Sequence, residues 1–116
     1  MSKKADLGEK GELLAAAYLS EKGYEVLMKN YRYKHAEIDI VARIGELLVF
    51  VEVKTRSKIN FGYPEESVDE KKSAKVIEGA EQYIVESDWQ GDVRFDIISV
   101  VVGKEIKIQH FEDAFY

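Results

Sequence analysis

Residues 37–56 read EIDIVARIGELLVFVEVKTR, and this stretch decides the fold. Two apolar runs of strand length, 37–43 and 47–54, flank Gly45-Glu46. A two-residue type II′ turn wants glycine first, so Gly45-Glu46 predicts a β-hairpin. That turn pairs Ile44 with Leu47, and the register then sets Val41 against Phe50, Asp39 against Glu52, and Glu37 against Lys54. A turn at Ile44-Gly45 would slip the pairing by two and set Glu37 against Glu52. In either register Glu37, Asp39, Glu52 and Lys54 are expected on one face, because side chains alternate along a strand.

That face begins apolar at Leu48 and Phe50 and turns charged at Glu52. Directly opposed like charges destabilise a hairpin, so an Asp facing a Glu calls for a neutralising partner. Lys54 is one candidate. A hard divalent cation is another, because magnesium prefers carboxylate and carbonyl oxygens. Two carboxylates, a backbone carbonyl and an ammonium are the parts of a metal-dependent phosphodiester hydrolase. A solvated strand face with alternating charges gives the same string, so the spacing alone leaves both readings open.

Periodicity organises the rest. Asp6 and Glu9 resemble a capping box opening a helix that runs to a glycine stop at Gly23. A first strand is expected over 24–32, and a loop over 55–66. Ser67-Val68-Asp69-Glu70 is a stricter capping box, opening a second helix to about Glu86 with an apolar stripe of Val76, Ile77, Ala80, Tyr83 and Ile84. Two more strands follow at 93–102 and 105–111. The order α-β-β-β-α-β-β predicts an α/β domain with a mixed sheet. Its 116 residues make a single domain, 1–116.

Composition narrows the chemistry. The chain has no cysteine, which removes disulfides, thiolate metal sites and cysteine nucleophiles. Its two histidines, His35 and His110, lie far apart. No apolar run approaches membrane-span length and no secretory signal is evident, so a cytoplasmic protein without a membrane partner is expected. The net charge is −5, yet residues 29–58 carry seven Lys/Arg against four acids. This basic segment, with Arg32, Lys34 and Lys58, points to phosphate contacts, though surface scatter accounts for the charge equally well.

With these residues in view, the string over 37–56 resembles the signature of the PD-(D/E)XK, restriction-endonuclease-like superfamily. The whole chain, from about Gly8 to Phe115, is similar to the YraN-like family of small bacterial endonuclease-like proteins, related in fold to archaeal Holliday-junction resolvases. The matches are GE-LAA-YL in the first helix, GY-VL-KN-R in the first strand, EID, FVEVKTR, FG-P, an early lysine in the second helix, and RFDII.

The resemblance implies a restriction-endonuclease-like core, with Asp39 and Glu52 as metal ligands, the Val53 carbonyl as a third, and Lys54 as the catalytic lysine. It implies Glu12 as a further metal-binding acid, whereas the residue pattern by itself favours a Glu reaching water from the helix edge. Ile38 stands where the superfamily motif has proline. The implied activity is magnesium- or manganese-dependent hydrolysis of DNA, on branched or flapped substrates, by a homodimer such as related resolvases form. Lys72 resembles the family's helix lysine and is expected, with Arg56, to bind phosphate. Glu37 is a candidate alternate ligand. Tyr31, Tyr33, Phe61 and Tyr63 are candidates for stacking on bases or for ordinary packing. Arg94 and Asp96 read as a structural pair. A nucleic-acid-binding module without cleavage, or an interaction protein whose acidic C-terminal half meets a basic partner, are the other functions the sequence admits.

Overall fold

A computed structural model describes residues 3–57 and 70–114. The elements are α1 (Lys3–Glu21), β1 (Glu25–Tyr33), β2 (Ala36–Ile44), β3 (Leu47–Arg56), α2 (Glu70–Ser87), β4 (Asp92–Val102) and β5 (Ile106–Phe111). This is the expected α-β-β-β-α-β-β order. The sheet order is β1-β2-β3-β4-β5. All neighbours are antiparallel except β3 and β4, which run parallel. Two parallel strands need a crossover, and α2 lies in it.

Each helix covers one face. Ala15 and Leu19 of α1 pack on Ile40, Ala42, Val49, Val51, Ile98 and Val100. Val76 and Ala80 of α2 pack on Tyr31, Ile38, Val41, Leu48, Phe50 and Phe95. The central strands are therefore apolar on both sides, as strands between two helical layers must be. Ile77, Tyr83 and Ile84 complete the expected α2 stripe. Gly45 has φ +58° and Glu46 is not among the residues with positive φ, as a type II′ turn requires. The predicted register holds next to the turn, with Ile44↔Leu47 and Val41↔Phe50.

Three expectations are corrected. The α1 backbone is already helical at Lys3, so Asp6 is not its cap; Lys3, Lys4 and Ala5 are good helix formers and nothing there interrupts the run. β3 extends to Arg56 because its parallel pairing continues to Arg56↔Val101, so the loop after it begins later than residue 55. The hairpin pairing ends at Ile40↔Val51, so Asp39 does not face Glu52 and Glu37 does not face Lys54.

The last correction has a visible cause. Ile38 packs against α2 while Ile40, two residues on, packs against α1. Strict alternation would put both on one face, so β2 changes face between them. β3 stays paired to β4 as β2 turns away, and the space between β2 and β3 opens into a groove. The Ser67-Asp69 cap, Lys58, Phe61 and Tyr63 lie outside the described residues.

Candidate active site

The groove is an open cleft of ≈ 640 Å³ lined by Leu7, Gly8, Glu12, Glu37, Asp39 and the run Glu52–Ser57. The sequence-predicted acids, Lys54 and Arg56 thus meet in one place, although not on a regular sheet face. Glu12 is brought in by α1. The helix can lie this close to β3 because Gly11 has no side chain: a Cβ there would collide with the Thr55 side chain.

Asp39 and Glu52 are buried, at 9% and 6% exposure. The Val53 N–H donates to Asp39 Oδ2 at 2.8 Å, taking the place of the ladder bond that β2 no longer offers. Within a strand the N–H and C=O of one residue point the same way, since paired residues exchange both bonds. The Val53 carbonyl is therefore on the Asp39 side, toward the groove. Lys54 Nζ lies 3.6 Å from Glu52 Oε1, with only 17% of the lysine side chain exposed.

The carboxyl of Glu12 is pushed above its usual range, first by burial and then by the charges of Glu37 and Glu52; a hydrogen bond from Asn30 and the Lys29 charge oppose this. The groove thus concentrates negative charge around carboxylate and carbonyl oxygens, the donors that hard divalent cations take. Among the described residues no three acidic, His or Cys side chains close into a ready metal cage. Asp39 and Glu52 flank the Val53 peptide, and Glu12 is an acid on the opposite wall.

A second groove of ≈ 590 Å³ adjoins the first, sharing Gly8, Glu12 and Glu37 and adding Lys29, Asn30 and Arg32. Arg32 Nε donates to Glu37 Oε2 at 2.7 Å, so this basic residue sits beside the acids. Lys34 lies elsewhere. It follows the end of β1 with φ 55°, stacks its ammonium 5.3 Å from the Tyr33 ring, and faces Glu78 and Glu81 of α2. Lys72 falls in the first turn of α2, where side chains are not described. Tyr31 is core rather than a stacking platform: its hydroxyl donates to Glu86 at 2.7 Å, and burial with that bond pushes its pKa up to about 12.

Arg94 and Asp96 are the structural pair expected, and more. Asp96 is fully buried, receives Arg94 Nε and Nη2 at 2.8 Å each, and receives the Asp113 N–H at 3.0 Å. His110 Nε2 lies 2.7 Å from the same carboxylate, and Tyr18 approaches the other ring nitrogen. Burial alone raises the Asp96 pKa, but bonds from His110, Arg94 and Asp113 overcome it, and the carboxyl is held below its usual range. This network ties β5 and the chain after it to β4. Nothing in the sequence pattern pointed to His110.

The site thus defines an α/β protein with a carboxylate-lined cleft where a hairpin parts. The chain belongs to the uncharacterised protein family UPF0102, the YraN-like family, whose model matches residues 11–100. It is 45% identical to a UPF0102 protein of Flavobacterium psychrophilum, over 100% of this chain and 98% of the relative. It is 47% identical to a UPF0102 protein of Clostridioides difficile, over 93% and 95% of the two chains. A relative from Caldanaerobacter subterraneus is 45% identical over 97% and 96%. Among the described residues no helix is long and apolar enough to cross a membrane.

Proposed function

We propose that this protein is a metal-dependent nuclease that hydrolyses DNA phosphodiester bonds. The observation that carries the reading is the meeting of Glu12, Asp39, Glu52, Val53, Lys54 and Arg56 in one groove. On this reading the hairpin carries the acid–acid–lysine motif of the PD-(D/E)XK superfamily, with Ile38 replacing the proline.

Asp39, Glu52 and the Val53 carbonyl would hold a magnesium or manganese ion, and Glu12 would complete its acidic surroundings. Such an ion, when bound, would supply Lewis-acid activation of water and phosphate. Lys54 keeps its ammonium beside Glu52 and neutralises charge that builds on the phosphoryl oxygens. Arg56, further along β3, contacts a backbone phosphate and sets the strand in register without reading its bases. Water adds to phosphorus and gives up a proton to solvent, the ester P–O bond opposite breaks, and the leaving oxygen takes up a proton from solvent in return. A homodimer in the cytoplasm acting on branched or flapped DNA fits this reading.

A second reading is nucleic-acid binding without cleavage, favoured by the basic residues Lys29, Arg32 and Arg56 that line the two adjoining grooves. A gel assay separates the two. Single-stranded, duplex, flap and four-way DNA are incubated in magnesium, manganese or chelator, with the Lys54→Ala protein alongside. Metal-dependent products lost in Lys54→Ala support the nuclease. Salt-sensitive binding without products in either metal selects the second reading.

A further inference from the structure

The face change in β2 has a partner in β1. Their ladder runs through Met28↔Val41 and Lys29↔Ile40, omits Asn30 and Asp39, and resumes at Tyr31↔Ile38. Across the omitted row both strands switch sides. Lys29 lines the groove beside Glu12 on the α1 side, while Tyr31 packs under α2, as Ile40 and Ile38 do. Asn30 sits in this row with φ +55°, a left-handed backbone inside a nine-residue strand. Side chains other than glycine rarely adopt that conformation, and Asn is among the few that tolerate it. Strained backbone of this kind is retained where surrounding structure and function require it.

Asn30 has a second tie to the site. It lines the adjoining groove with Glu12 and Glu37, and its side chain favours the ionised Glu12 carboxylate against the effect of burial. Across the ladder from it, Asp39 leaves the regular pairing and accepts the Val53 N–H. One residue therefore borders both acids of the cleft, across the ladder from Asp39 and along the groove from Glu12.

We propose that Asn30 is the positioning residue of the acidic groove: its left-handed backbone turns Asp39 out of the ladder, and its carboxamide fixes Glu12. This rests on the nuclease reading for its purpose, not for its geometry. Groups that orient metal ligands typically contribute 10- to 100-fold to metal affinity.

The test uses the full chain and manganese alone as the probe. Asn30→Gly keeps the left-handed backbone and deletes the carboxamide; Asn30→Val opposes the backbone itself. Titration calorimetry is expected to show Mn²⁺ binding weakened about tenfold in Asn30→Gly, with its circular dichroism unchanged, and weakened further in Asn30→Val. Wild-type Mn²⁺ affinity in Asn30→Gly overturns the proposal, since a purely structural role would move only the urea midpoint. Metal-free urea midpoints of Glu12→Ala, Asn30→Gly and the double variant give an independent reading. Non-additive shifts are expected, and additive ones overturn the tie between the two side chains. Should the wild type bind no Mn²⁺, the nuclease reading falls and the metal-free cycle alone decides the role of Asn30.

Discussion

Val53 donates its backbone N–H to the carboxylate of Asp39 across 2.8 Å, just beyond the last row where β2 and β3 pair. One acid thus substitutes for a strand, and its replacement has two separable effects. Asp39→Ala leaves a part-buried N–H without an acceptor and is expected to lose about 1–3 kcal/mol of stability. Asp39→Asn keeps an acceptor and most of the stability, but Mn²⁺ affinity falls at least tenfold. Urea unfolding and calorimetry on both variants separate these effects.

Lys54 is expected to act on the phosphate rather than on the ion. Lys54→Ala should therefore bind Mn²⁺ as the wild type does while cleaving DNA roughly 100-fold more slowly or worse. Single-turnover cleavage at saturating metal measures this.

The contact between Gly11 and Thr55 sets how close α1 lies to the groove. Gly11→Ala is expected to cost about 1–3 kcal/mol through overpacking, despite alanine's better helix propensity. Adding Thr55→Ala should restore part of that loss, a coupling that thermal denaturation of the two single variants and the double variant detects.

Asp96 makes stability depend on acid. Its folded pKa lies below the ordinary carboxylate range. Its contribution is therefore complete above the unfolded carboxylate pKa and declines as pH falls through the folded value. Asp96→Asn is expected to lose about 3–5 kcal/mol at neutral pH, because it strips Arg94 and His110 of their shared anion. The variant should also show a flatter decline in urea midpoint below about pH 4.

Glu12 has the opposite sign. Its folded pKa is raised above 4.5, so the folded state loses stability as pH rises through that range. Glu12→Gln is expected to be more stable than the wild type at pH 7, with the gain vanishing under acid conditions. Mn²⁺ affinity should fall in the same variant, the exchange of stability for function common at ligand sites.

The hairpin was legible because Gly45 fixes a turn type and a turn type fixes a register; the core followed from apolar spacing at Leu48–Val51 and along α2. Recognition of Asp39, Glu52, Lys54 and Arg56 as neighbours came from the same string. Their detailed relation was not legible, because period-two alternation assumes an uninterrupted strand. Asn30 breaks that assumption from the neighbouring strand, and no propensity marks a left-handed asparagine mid-strand in advance. Lys34 lies away from Arg32's groove, because sequence proximity says nothing about which side of the turn a side chain takes. His110 pairs with Asp96 only through the β4–β5 fold, so its partner is invisible to local pattern.

The parallel pairing of β3 with β4 also bears on how the protein comes off the ribosome. Among the described residues the only partner strand from Glu52 to Arg56 is β4, with Lys54 beside Ser99. A nascent chain that has emerged only through α2 can form the hairpin but has no strand to hold its far half straight. Pairings this distant in sequence form slowly and late. The cleft therefore takes shape only after β4 has been translated, so products truncated before β4 carry the motif without the assembled site.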